Sequence, residues 1–107
     1  PAAEDPPGVE CCELAALSPA AMLEAMADRE LHCVLVEGGA DTVSRFMAAG
    51  AIDRLVVLVA PLIIGSGRMG LLLPEIETLD AAIRPPTMVT TLPDGDVMFD
   101  CDVKIRR

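Results

Sequence analysis

Apolar and polar residues change rhythm several times along the chain, and each rhythm predicts an element. Residues 1–8 hold three prolines, a glycine and two acids, which predicts a loop or frayed end, with the folded part running from 9 to 107. Val9 to Leu14 reads as a short strand. Ser18-Pro19 reads as a helix start, because the serine hydroxyl can accept a first-turn N–H and proline has no N–H to leave unpaired. Met22, Leu23, Met26 and Ala27 then recur at helical spacing, with the helix ending near Glu30. Cys33 to Val36 is an apolar run of strand length, broken by Glu37-Gly38-Gly39. A second helix is expected from about Asp41 to Ala49, with Val43, Phe46 and Met47 as its apolar stripe and Gly50 as its C-terminal cap.

The second half changes period. Leu55 to Ala60 is apolar throughout and rich in valine, the pattern of a central strand covered on both faces, and Pro61 closes it. Residues 65–74 read as a glycine-bearing loop. Thr87 to Leu92 is strand-like, and Pro93-Asp94-Gly95-Asp96 is a turn signal. From Val97 to Ile105 the pattern alternates. Val97, Phe99, Cys101, Val103 and Ile105 share a face expected to be buried, while Met98, Asp100, Asp102, Lys104 and Arg106 share one expected to be largely wet. The order strand, helix, strand, helix, strand, hairpin predicts an α/β domain. Its mixed sheet, flanked by helices, would have parallel crossovers first and an antiparallel hairpin last.

Composition narrows the function classes. The chain is 52% hydrophobic and 23% charged, a globular composition. Its mean hydropathy of +0.47 is high for 107 residues and predicts that another segment or a second copy covers part of the apolar surface. A net charge of −9 argues against a nucleic-acid or anionic-membrane surface, and two phenylalanines without Trp or Tyr leave little for base stacking. The apolar stretch from 55 to 64 is interrupted by Pro61 and too short to cross a bilayer. No basic segment precedes an apolar stretch at the start, so a cytoplasmic protein is expected. Four cysteines without CxxC spacing and one histidine, His32, lack the pattern of a zinc site; buried reduced thiols are expected.

The chemistry concentrates in Val34 to Thr42. A strand-like run ends in two glycines and a helix begins at once. Glycines remove Cβ atoms from the path of a ligand, and the new helix offers unpaired N–H groups and a positive dipole end, which suit a phosphate or diphosphate. Taken alone, the glycine pair reads better as an ordinary turn, since neither the full G-x-G-x-x-G pattern nor a Walker lysine is present. Glu37 shifts the weighting: an acid at the C-terminal end of a buried strand sits where α/β sheets bind ligands, although a structural carboxylate reads equally well.

The run from Val34 to Ala40, then Phe46, Ala49 to Leu55 and Ala60 to Gly65 resembles the reductase domain of bacterial riboflavin biosynthesis. The correspondence is densest over 33–67, whereas 9–27 and 87–105 match only in pattern. The resemblance implies a dihydrofolate reductase-like fold and hydride transfer from NADPH to a ribosylaminopyrimidine phosphate or a related carbonyl or imine. It implies that Gly38, Gly39 and the backbone of Ala40, Asp41 and Thr42 hold the cofactor diphosphate, that Glu37 faces the substrate, and that Asp53 is structural. The family's first strand, with its Ser-x-Asp-Gly segment, and its arginine- and threonine-bearing loop have no counterpart in 1–31. The expectation is therefore the C-terminal half of a reductase domain, incomplete alone, that needs the other half and pairs as a homodimer. Two other readings stand beside it: a non-catalytic dimerisation fragment and a simple anion-binding module.

Overall fold

Ser18 and Pro19 start a helix as their chemistry dictates. In a computed structural model that describes residues 6–104, helix α1 spans Pro19–Asp28, and the Ser18 hydroxyl accepts the Ala21 N–H at 3.1 Å. Arg29 and Glu30 close it. Glu30 N–H reaches Ala27 O and Leu31 N–H reaches Met26 O, with Glu30 in the left-handed region at φ 58. That closure normally falls to glycine, so the glutamate here carries backbone strain. Ala25 is buried and Met22, Leu23 and Met26 are half-buried, while Ala27, expected on the apolar face, is exposed. Arg29 donates to Glu10 Oε1 and to Ala25 O, each at 3.1 Å.

The described residues form two compact units, one up to Val34 and one from Leu35. In the first, α1 is the one regular element described. Val9 to Leu14 is not a strand, because no neighbour in that unit supplies a ladder. Residues 1–5 and 105–107 lie outside the described residues, so the expectations for the first five positions, Ile105 and Arg106 are not tested.

The second unit holds helix α2, Ala40–Ala48, and strands β1, Arg54–Val59, β2, Thr87–Thr91, and β3, Val97–Asp102, with a single 3-10 turn at Leu79–Ala81. Helix α2 buries Phe46 and half-buries Val43 and Met47. Gly50, at φ 65, ends it: Gly50 N–H reaches Met47 O and Ala51 N–H reaches Phe46 O. Here the left-handed cap falls on the residue type that adopts it without strain.

The sheet order is β1-β3-β2, and both pairings are antiparallel. Leu55, Val57 and Val59 pair with Cys101, Phe99 and Val97 on one face, where β2 adds Val89. The other face carries Arg54, Val56 and Leu58 beside Asp102, Asp100 and Met98, with Met88 from β2. The β2–β3 hairpin turns at the expected residues: Leu92 N–H reaches Asp96 O at 2.7 Å, Gly95 N–H reaches Leu92 O, and Gly95 sits at φ 88.

Four expectations are corrected. No parallel pair occurs among the described residues, so the sheet is antiparallel rather than mixed. Cys33 to Val36 forms no strand and is largely exposed. The central strand is β3, not the valine-rich run: β1 is an edge strand whose Val56, Val57, Leu58 and Val59 are all exposed. The alternation along β3 gives no sharp division either, for all six of its residues are half-buried. The physical reason is shared. A three-stranded sheet has two faces, and its apolar side chains need a covering layer to be buried, which the exposed residues of β1 and β2 lack.

Candidate functional site

The glycine turn is local and open. Gly39 is the N-cap of α2 at φ −74 and ψ 178, and it has no side chain with which to cap. Neither it nor Gly38 adopts a left-handed conformation, so the turn does not demand glycine for its dihedral angles. A Cβ built on Gly39 meets nothing within 4 Å. A Cβ on Gly38 would lie 3.3 Å from the Thr42 Cβ, so Gly38 is the position where backbone closely approaches a side chain.

The first intrahelical bond of α2 runs from Val43 N–H to Gly39 O at 3.3 Å. The N–H groups of Ala40, Asp41 and Thr42 therefore point out of the first turn with no acceptor among the described residues. Such groups attract an anion through direct donation and through the positive end of the helix dipole. The Asp41 carboxylate accepts from Arg45 Nε at 3.3 Å, one turn along the helix, an exposed pair of small energetic weight. Glu37 is exposed in the segment leading into the turn. Its expected position at the end of a buried strand is not what the structure holds, but it does lie two residues before the N-cap. Glu37, Gly38, Gly39, Ala40, Asp41 and Thr42 thus form one continuous surface segment.

Two other features bear on the site. Ser44 is the one buried polar residue among those described, and its hydroxyl accepts the Leu72 N–H at 2.7 Å. The sequence offers only a faint signal of this, a serine at the edge of the Val43, Phe46 and Met47 stripe. The second feature is an open depression of about 620 Å³ on the charged end of the sheet, lined by Asp53, Arg54, Met88, Asp100, Asp102 and Lys104 among others. Arg54 Nε donates to Asp100 Oδ1 at 3.1 Å. Hydrogen bonding and then the charge of Asp100 raise the arginine pKa above its ordinary value. Asp102 Oδ1 accepts the Lys104 N–H. None of these residues belongs to the glycine turn. Asp53 acts through its backbone: its carbonyl accepts the Val103 N–H at 3.0 Å, which extends the β1–β3 ladder.

The cysteines correct another expectation. Cys11, Cys12 and Cys33 are exposed and Cys101 is half-buried, so they are not core thiols. Among the described residues no cluster of His, Cys, Asp or Glu could hold a metal ion, and no helix is long and apolar enough to cross a membrane.

Comparison with curated proteins and with solved structures gave no match. Comparison with protein families did. The model of the RibD C-terminal domain matches residues 3–89, which takes in both helices, β1 and all but the end of β2, and stops short of β3. With most of its length matched, including the glycine turn, this chain belongs to the RibD C-terminal domain family, a reductase-type domain of riboflavin biosynthesis.

Proposed function

We propose that the chain is part of an NADPH-dependent reductase with the dihydrofolate reductase-like fold, and that it supplies the diphosphate half of the cofactor site. The observation that carries this reading is the open first turn of α2: three N–H groups with no acceptor among the described residues, behind an N-cap glycine whose Cβ position is empty. A diphosphate has the charge and the acceptor oxygens that this donor set lacks. The bound dinucleotide supplies the hydride. Gly39 leaves room for its approach, Ala40, Asp41 and Thr42 donate, and the arginine-held Asp41 carboxylate takes no part. Glu37, two residues upstream, faces the substrate, the ribose of a ribosylaminopyrimidine 5-phosphate or a related carbonyl or imine. The exposed apolar residues of β1 and β2 support a further element of this reading. An edge strand with such a surface recruits a covering layer, which the remainder of the reductase domain or a second copy of the chain supplies.

The test is a titration of the intact protein with NADPH, with and without inorganic pyrophosphate, beside a turnover assay of Glu37→Gln. The reading requires saturable NADPH binding that pyrophosphate competes away. It also requires Glu37→Gln to bind NADPH normally while turnover falls by roughly 100-fold, the scale of a lost acid–base or substrate-orienting group. Equal affinity for pyrophosphate and NADPH would favour a plain anion-binding module.

A further inference from the structure

Residues 63–77 form a long segment between β1 and the 3-10 turn, and it is nearly untethered. It contains no helix or strand, and all of it is exposed apart from the half-buried Leu71 and Leu73. Among the described residues a single hydrogen bond ties its backbone to the rest of the protein, from Leu72 N–H to Ser44 Oγ at 2.7 Å. A loop of this length without structure of its own is commonly a functional cover or binding loop. Gly65, at φ 78, lies near its start in a conformation that favours glycine, and Pro74 stiffens its end.

The position of the tether matters more than its strength. Ser44 is the fifth residue of α2, so the hydroxyl sits about 6 Å along the helix axis from Ala40, at 1.5 Å per residue. The segment is therefore fixed at little more than one helical turn from the open N–H groups. A serine at such a place could have bonded back to its own helix. Instead it accepts from a residue 28 positions away, and it is the one buried polar residue among those described.

We infer that Ser44 is a positioning residue: its hydroxyl latches the 63–77 segment beside α2, so that the segment forms a wall of the cofactor cleft. This rests on the reading of α2 as the diphosphate site. The latch itself does not, and the two are separable by experiment. Arg68 is the segment's one basic residue and is exposed, so tryptic cleavage after Arg68 reports how firmly the segment is held.

The experiment uses the intact protein and three variants. Ser44→Ala removes the acceptor, Ser44→Thr keeps it, and Leu72→Pro removes the donor without touching the helix. Cleavage after Arg68, followed by mass spectrometry, is measured beside NADPH affinity, with circular dichroism confirming that each variant is folded. Ser44→Ala and Leu72→Pro should each speed cleavage several-fold and weaken NADPH binding by about fivefold, close to 1 kcal/mol. Their combination should be no worse than either alone, because both break one bond. Ser44→Thr should behave as the parent. An unchanged cleavage rate in folded Ser44→Ala would overturn the latch. Faster cleavage with unchanged NADPH affinity would overturn the positioning role and leave a merely structural bond. A parent protein that binds no NADPH would remove the reading beneath it, and the cleavage data would still show whether the latch exists.

Discussion

The two helices begin in opposite ways. At α1 the first turn leaves a single open donor: Ser18 accepts the Ala21 N–H and Pro19 brings no N–H, so among the described residues the Ala20 N–H alone lacks an acceptor. At α2 nothing is consumed: Gly39 has no side chain to offer, and Ala40, Asp41 and Thr42 keep their N–H groups for solvent or a ligand. The helix ends reverse the comparison. Helix α1 closes on a left-handed glutamate, Glu30, whereas α2 closes on a left-handed glycine, Gly50. A protein built only for stability would cap both N-termini through a side chain, although glycine is a tolerated N-cap and a serine or aspartate there gains only a few tenths of a kcal/mol over it. Helix α2 forgoes that small gain and keeps its first-turn N–H groups open.

Gly39→Val attacks the open end. Its backbone angles suit any residue and its Cβ position is empty, so the change should cost about 1 kcal/mol of stability or less, while NADPH affinity falls more than tenfold, over ~1.4 kcal/mol. Isothermal titration and thermal melting measure the two effects. Unchanged affinity would reduce the open turn to an ordinary helix start. Ser18→Ala attacks the capped end and should do the reverse. It should lose about 1 kcal/mol, a melting shift of roughly 5 °C, with NADPH affinity unaltered. A cofactor effect at Ser18 comparable to that at Gly39 would erase the distinction between the two ends.

These contrasts were partly legible in the residues. Ser18-Pro19 announced α1, Gly50 announced the end of α2, and Pro93 to Asp96 announced the hairpin turn, because each is a local device that depends on a few consecutive residues. What failed was non-local. Cys33 to Val36 has the composition of a strand, but a strand exists only where another offers a ladder, and none in the described sheet does. The valine-rich β1 reads as central because apolar residues run along both of its faces, yet it lies at the edge, with the alternating β3 in the middle. Both misreadings point the same way: the side chains are suited to more cover than three strands and α2 provide. At the site, the run from Glu37 to Thr42 was visible as a motif, while its opposite wall was not. The Ser44–Leu72 bond joins residues whose meeting depends on the path of a loop, and no spacing rule encodes that path.

The central claim is that backbone N–H groups of α2 receive the cofactor diphosphate, and amide NMR reads those groups one by one. In a titration of the 15N-labelled intact protein with NADPH, the amides of Ala40, Asp41 and Thr42 should show the largest shifts. Inorganic pyrophosphate should reproduce them, and the amides of Ala20 and Ala21 at the capped start of α1 should stay in place. Saturable NADPH binding that leaves Ala40, Asp41 and Thr42 unmoved would contradict the account and place the cofactor elsewhere.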